Sequence, residues 1–163
     1  MKNLNELFEE EIKELYSTEE QLLKALPKMM KNAEDDELKK AFEKHIKETE
    51  THKERLEEIM DELDISKPKE KCKPMKTMME TAEKTMKEAE DDVKDAAIVG
   101  EAQHVEHFEI SAYGTEVRNA KELGHNEIAK KLQSTLDEEY KADDKLTEIA
   151  EKRVNKKAMA ENE

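Results

Sequence analysis

The chain has 163 residues, of which 44% are charged, 35% hydrophobic and 4% aromatic, and its formal net charge is −14. This acidity argues against nucleic acid as a partner, because phosphate binding depends on clustered lysine and arginine. No run of residues is apolar enough to span a membrane, and the acidic N-terminus is unlike a secretory signal. One cysteine, Cys72, excludes an internal disulfide and suits a reducing compartment, so we expect a cytoplasmic protein.

Long helices are predicted rather than disorder, because only three glycines and three prolines interrupt apolar residues that recur at helical period. The first helix is predicted from about Asn5 to Met30, with a kink or an early end at Pro27. A turn over residues 32–36 follows, and Asp35 or Asp36 is suited to cap a second helix over residues 36–63.

A long connection from Asp64 to Asp91 comes next, and it contains a short amphipathic helix over residues 75–90 with a stripe of methionines. The stripe could be a flexible recognition surface or, as we favour, the side of a helix that covers the bundle. Two further long helices are predicted over residues 92–123 and 126–155, separated by Gly124. Four long helices with one long crossover predict an all-α, ferritin-like four-helix bundle, in a single domain over residues 1–163.

Polar residues interrupt the apolar stripe of every long helix near its middle. The clearest are Glu106 and Glu109, which stand where a packed helix should be apolar. A buried carboxylate is costly unless a cation or a metal ion meets it. The predicted metal ligands are Glu19, His45, Glu48, His52, Glu106, Glu109, Glu139 and Asp143.

The depth of these residues follows from counting, because residues equally far from the turn of a helical hairpin lie at one level. Glu19 and Glu48 are equally far from the turn at 32–36. Two further pairs are centred on Gly124, and they are Glu109 with Glu139 and Glu106 with Asp143.

Each of these residues has an ordinary alternative when taken alone, either a carboxylate that reaches water or a histidine that is hydrogen-bonded in the core. Their coincidence at one level favours a joint explanation, since no lysine or arginine lies on the stripes nearby. We therefore predict two divalent cations bridged by carboxylates. Oxygen-rich coordination with a few imidazoles suits iron or manganese and admits zinc.

Several motifs resemble those of the YciF-type ferritin-like proteins, a bacterial stress-associated family, from about residue 4 to residue 155. Among them are Tyr16-Ser17-Thr18-Glu19, His45-x-x-Glu48-Thr49, Asp95-Ala96-Ala97, Gln103-x-Val105-Glu106-His107-x-Glu109-Ile110 and Leu136-Asp137-Glu138-Glu139. The resemblance implies a ferritin-like bundle, a di-metal centre and frequent dimerisation. It also implies matching positions at Glu19, Glu48, Glu106, Glu109, Glu139 and Asp143, whereas His52 stands where relatives often carry an amide.

The function that we expect is oxidoreductase chemistry on oxygen or peroxide at a di-iron or di-manganese centre, within a stress response. Glu48 and Glu139 would bridge the metal ions, and Tyr16 or Tyr113 would either donate a hydrogen bond or simply pack. No separate general acid or nucleophile is evident. A metal-sequestering stress protein without turnover and a helical scaffold for a protein partner are the alternatives. The expected partners are metal ions, a small oxidant and a second copy of the chain, without nucleic acid or membrane.

Overall fold

The computed structural model describes residues 1–160, except for the side chain of Asp92, and every regular element in that part of the chain is helical. None of the described helices combines the length and the apolar character that crossing a membrane requires. The helices are α1 (Leu4–Asn32), α2 (Asp36–Glu62), α3 (Lys73–Glu88), α4 (Asp91–Glu122), α5 (Asn126–Ile149), a π-helical turn (Ala150–Val154) and α6 (Asn155–Ala160).

Two helical hairpins form the bundle. Helix α1 packs against α2 and α4 packs against α5, while α1 also contacts α4 and α2 also contacts α5. The crossover from α2 to α4 carries α3, which packs against α4 and α1. The expected all-α, ferritin-like four-helix bundle is therefore confirmed.

The first hairpin turn is fixed by side chains that bind backbone amides. Asp35, one of the two residues predicted to cap α2, accepts hydrogen bonds from the amides of Glu37 and Leu38. Helix α1 continues past Pro27 to Asn32 instead of ending early. Its last turns stay helical because Met29 lies on the buried face and the amide of Ala33 bonds to the Met29 carbonyl.

The last helix departs from the uninterrupted span that we expected over residues 126–155. Helix α5 ends at Ile149, and a π-helical turn follows before α6. A π turn holds an extra residue and so changes which side chains face the core. Here Val154 is buried while Arg153 Nε reaches Asp35 Oδ2 at 2.7 Å, which ties the end of the bundle to the first hairpin turn.

The crossover helix covers the bundle with its methionine stripe. Met75, Ala82 and Met86 are buried, and Met78 and Met79 pack against the same apolar cluster. The loop before α3 is held on α1, since the amide of Cys72 donates to Ser17 Oγ at 2.8 Å. This packing favours the covering helix over a recognition surface.

The apolar core is divided into two clusters along the bundle axis. One contains Phe8, Ile12 and Tyr16 of α1, and the other begins on the same helix at Leu22. Between them α1 contributes Thr18 and Glu19, both buried. A polar layer therefore crosses the middle of the bundle, with apolar residues on both sides.

Candidate metal centre

The polar layer is made of carboxylates and imidazoles from all four long helices. These residues occupy positions of the helical repeat that normally hold apolar, buried side chains. Packing of the helices therefore places them in the interior. The side chains are almost inaccessible to solvent, with exposed fractions of 0% for Glu19, His52, Glu109 and Glu139, 2% for Glu106 and 5% for His45.

Two groups of candidate ligands share one residue. His45, Glu106, Glu109 and Glu139 form the larger group, in which one ligand atom from each residue lies within 4.8 Å of the others. Glu19, His52 and Glu139 form the smaller group by the same measure. Because Glu139 belongs to both, the layer offers two adjacent positions joined by one carboxylate.

The ring of His45 faces the larger group with one nitrogen and the edge of the bundle with the other. Its Nε2 lies 3.2 Å from Glu106 Oε1 and 3.8 Å from Glu139 Oε2. Its Nδ1 lies 3.6 Å from Glu48 Oε2. Glu48 in turn pairs with Lys44 at 2.8 Å, so a carboxylate held by a cation stands behind the imidazole.

His52 has the same arrangement with its nitrogens exchanged. Its Nδ1 faces the layer, 2.9 Å from Glu139 Oε1 without hydrogen-bond alignment, and 3.6 Å from Glu19 Oε1. Its Nε2 lies 2.9 Å from Glu138 Oε2, and Arg55 Nη1 holds that carboxylate at 2.6 Å. Carboxylates that hydrogen-bond the outer nitrogen of a histidine are typical of metal sites, because they fix the tautomer and the ring orientation.

Tyr113 belongs to the layer and Tyr16 does not. The buried Tyr113 hydroxyl donates a hydrogen bond to Glu19 Oε1, and its ring meets His52 edge-on with centroids 6.3 Å apart. The Tyr16 hydroxyl instead donates to Glu57 Oε1 at 3.1 Å, outside the layer. Of the two tyrosines considered from the sequence, only Tyr113 could influence chemistry at the site.

Burial raises the pKa of three inner acids, Glu19, Glu109 and Glu139. Removal from water, with the neighbouring acid Glu139 adding to it, raises the pKa of Glu19 to about 7 despite opposing contributions from His52 and the Tyr113 hydrogen bond. Burial, with the acids Glu139, Glu19 and Glu106 adding to it, raises the pKa of Glu109 well above its usual range. Negative charge in this layer is therefore unfavourable unless protons or cations balance it.

Many buried polar atoms of the layer have no hydrogen-bond partner among the described residues, whereas folded proteins usually satisfy such atoms. A divalent cation would satisfy them, and the mixture of carboxylate oxygen and imidazole nitrogen suits iron or manganese and admits zinc. The residues present are thus compatible with a pair of cations. The unpartnered atoms are Glu19 Oε2, both ring nitrogens of His45, His52 Nδ1, Glu106 Oε2 and both oxygens of Glu109 and Glu139.

Two predicted ligands lie beside the groups rather than within them. Glu48 lies behind His45, on the side away from the layer. Its carboxylate contacts His45 and Lys44 and belongs to neither ligand group. Although partial burial opposes the shift, His45 and Lys44 lower the pKa of Glu48 to about 2. Asp143 accepts a hydrogen bond from Gln103 at 3.0 Å and lies 3.1 Å from His107 Nε2.

Glu138 and Arg55 were missed by reasoning from the sequence. Both lie off the apolar stripes, so the search for polar residues on those stripes passed over them. Arg55 is one turn after His52, and Glu138 directly precedes Glu139. A search for charged residues one turn or one position from each predicted ligand would have found the pair.

The bundle and its buried carboxylate–histidine layer define a ferritin-like protein with a candidate dinuclear metal centre. Residues 3–159 match the family model described as "Domain of unknown function (DUF892)". The chain is 38% identical to protein YciF of Escherichia coli (strain K12) over 160 residues, which cover 97% of this chain and 96% of that protein. The chain therefore belongs to the DUF892 family and is a YciF-type protein.

Solved structures agree with this assignment. The crystal structure of the E. coli stress protein YciF matches with a TM-score of 0.90 and 36% identity, over 96% of this chain and 99% of that one. YcfI of Rhodopseudomonas palustris, described as a candidate structural protein, matches with a TM-score of 0.86 and 36% identity, over 90% of this chain and 94% of that one. A Xanthomonas campestris protein shares the fold at 22% identity, with a TM-score of 0.81.

Proposed function

We propose that this protein holds two divalent metal ions, iron or manganese, and carries out redox chemistry on oxygen or peroxide in a stress response. The observation that carries the proposal is the pair of buried ligand groups that share Glu139 and contain so many unpartnered polar atoms. The cellular setting is inferred from the E. coli relative, which is described as a stress protein.

Each part of the layer has a role in this proposal. Glu139 would bridge the two positions, with the remaining ligands supplied by the two groups given above. Glu138 with Arg55 orients His52 from outside, and Glu48 with Lys44 would do so for His45 once its ring is bound to a metal ion. In the sequence-based prediction Glu48 was a second bridge, but its position behind His45 suits an orienting role better.

The protein environment would control water and protons. The apolar clusters above and below the layer exclude bulk water, which strengthens every electrostatic interaction inside it. Tyr113 holds a proton against Glu19 Oε1. When bound, two redox-active ions at adjacent positions would supply the capacity to bind and reduce oxygen or peroxide.

Metal content of the purified protein tests the proposal directly. We expect about two ions per chain by elemental analysis in the wild type and a loss of both in Glu139→Gln, because that residue belongs to both groups. Asp137→Asn is the matched control, since Asp137 is an exposed acid on the same helix. Well-folded protein without metal under all loading conditions would contradict the proposal.

Turnover separates the proposed redox role from a non-catalytic one. Hydrogen peroxide should oxidise ferrous iron bound to the protein faster than it oxidises free ferrous iron. In Glu139→Gln the rate of iron oxidation should fall to that of free iron. Bound metal without such turnover would favour sequestration, since Tyr113 and the ligands themselves are the proton donors that residues 1–160 bring to the layer. A scaffold role, favoured by the description of the R. palustris relative, would require full assembly without metal.

We also propose that the protein acts in the cytoplasm as a homodimer. The chain has one cysteine, Cys72, which is buried, and burial raises the pKa of its thiol. Such a thiol is poorly reactive and does not depend on an oxidising compartment. Dimerisation rests on the family resemblance alone, and light scattering of the purified protein would decide it.

A further inference from the structure

A small pocket opens between α2 and α5 beside the larger ligand group. Its volume is about 40 Å³, and its inner wall includes His45 and Glu106. Phe42 and Leu146 form apolar sides, while Ala41 and Ala142 leave the space open. Since roughly 10–15 Å³ accommodates one water, the pocket suits a molecule of about two or three heavy atoms.

The pocket leads to one metal position only. Its lining contains His45 and Glu106 of the larger group, but neither Glu19 nor His52 of the smaller one. His45 is buried, and both of its ring nitrogens lack hydrogen-bond partners. A molecule in the pocket would therefore meet the larger group first.

The rim of the pocket is basic although the chain is strongly acidic. Three lysines, Lys44, Lys141 and Lys145, line it beside one outer acid, Glu48, whereas the chain as a whole has a formal net charge of −14. Lys44 pairs with Glu48, and Lys145 lies 3.5 Å from Glu148. Lys141 forms no ion pair within residues 1–160, so its charge is free to act on an approaching molecule.

These charges favour anionic over cationic ligands at the opening of the pocket. An overall negative potential would repel anions and attract divalent cations, whereas a local group of lysines does the opposite at short range. Because screening confines surface charges to about 8–10 Å at physiological salt, the rim has more effect at the opening than distant acids do.

We propose that this pocket is the entrance through which a small inorganic anion of two or three heavy atoms, such as superoxide, reaches the position formed by His45, Glu106, Glu109 and Glu139. The inference rests on the proposed metal centre, because a cation there is what an anion would bind. It assigns an attracting role to Lys141 and Lys145 and predicts one anion per metal pair.

Azide binding to ferric protein tests the charge of the rim, after elemental analysis has established the metal content of each sample. The variant Lys141→Glu with Lys145→Glu should bind azide roughly tenfold more slowly, and the decrease of its rate with added salt should disappear. Lys130→Glu is the control, since Lys130 is exposed on α5 about 16 Å along the helix from Lys141. Nitric oxide, which is neutral, should bind the ferrous form of all three proteins at equal rates.

Filling the pocket tests the route independently of charge. Ala142→Leu, or Ala41→Leu if the first variant folds poorly, should slow both azide and nitric oxide while metal content and helicity stay unchanged. If metal-loaded charge and filling variants bind azide at the wild-type rate, the proposed entrance is wrong while the metal centre stands. Absence of metal from the wild type would overturn the entrance and the metal centre together.

Discussion

At the scale of single residues, His52 differs from an ordinary buried histidine. Its outer nitrogen is held by Glu138, and that carboxylate is held in turn by Arg55. Glu138 Oε2 meets both His52 Nε2 at 2.9 Å and Arg55 Nη1 at 2.6 Å. Arg55 also donates to Thr135 Oγ1 at 3.1 Å, which fixes the guanidinium in place. The imidazole is thereby held with Nδ1 toward the layer.

Removal of the arginine should weaken metal binding without unfolding the bundle. We expect Arg55→Gln to lower the affinity for manganese at one of two positions by about 10–100-fold, because the Glu138 carboxylate loses the partner that orients it. Chelator competition measures the affinity. Arg118→Gln, an exposed arginine on α4, should bind manganese like the wild type. Equal manganese affinity in the two variants would show that Glu138 and Arg55 do not support metal binding by His52.

Glu116 gives a pH dependence that is separate from the metal layer. Burial, with Glu11 adding to it, raises the pKa of this carboxyl from 4.5 to about 7 although Asn119 donates a hydrogen bond to it. The folded state therefore binds the proton more tightly than the unfolded state. Preferential proton binding by folded Glu116 stabilises the native state fully below pH 4.5. This contribution is lost as the pH rises through about 7.

The variant Glu116→Gln should accordingly be more stable than the wild type at pH 8, by about 2 kcal/mol after allowance for screening. The difference should vanish near pH 4.5, where both side chains are neutral. Urea unfolding at the two pH values measures it. Glu122→Gln, an exposed acid of the same helix, should show little change at either pH. A difference that grows toward low pH would contradict the assignment.

At the scale of elements, Asp95 explains how the two hairpins are locked together. It is buried in the first turns of α4 and accepts hydrogen bonds from the amides of Glu34 and Asp35, each at 2.8 Å. Asp35 itself caps α2 and binds Arg153 of the π-helical turn. One short segment thus joins the first hairpin turn, α4 and the C-terminal end of the bundle.

Loss of this contact should be costly. We expect Asp95→Ala to lower the free energy of unfolding by about 2–3 kcal/mol, because two amides lose a charged acceptor. Asp95→Asn keeps one oxygen and should lose less. Asp91→Ala removes an exposed acid of the same helix and should change stability little. Thermal unfolding of the three variants would compare them, and equal losses at positions 91 and 95 would contradict the role of Asp95.

At the scale of the whole molecule, the stability of the bundle depends on how the charge of the polar layer is balanced. Two apolar clusters meet a layer of buried acids in the middle of the bundle. Bound cations would stabilise the native state by mass action, by about 2.7 kcal/mol at a free metal concentration one hundred times Kd. Chelation should therefore lower the melting temperature of the wild type.

The variant Glu109→Gln should largely abolish that effect of chelation. It removes a buried carboxylate whose two oxygens have no hydrogen-bond partner, so the metal-free protein should melt at a higher temperature than the metal-free wild type. The same variant should gain little stability from manganese, since Glu109 belongs to the larger ligand group. Calorimetry with manganese and with chelator would test both expectations. Lower metal-free stability together with an intact response to manganese would contradict the prediction.

Helical period and the counting of residues about the turns were sufficient for much of this protein. They predicted the bundle, its crossover helix, and the convergence at one level of Glu19, His45, His52, Glu106, Glu109 and Glu139, because rise per residue and hairpin symmetry depend on local geometry alone. The same counting placed Asp143 at the level of Glu106, and Asp143 does meet Gln103 and His107 of that helix. As metal ligands, all of these residues stay predictions.

Only the tertiary structure decided which atoms face each other across the layer. The rotation of a helix and the rotamer of each side chain depend on packing against neighbouring helices, which counting along one chain does not describe. For that reason Glu48 was expected as a bridge but stands behind His45, and Glu138 with Arg55 was missed behind His52. The sharing of Glu139, the π-helical turn and the basic pocket between α2 and α5 likewise depend on how the helices meet.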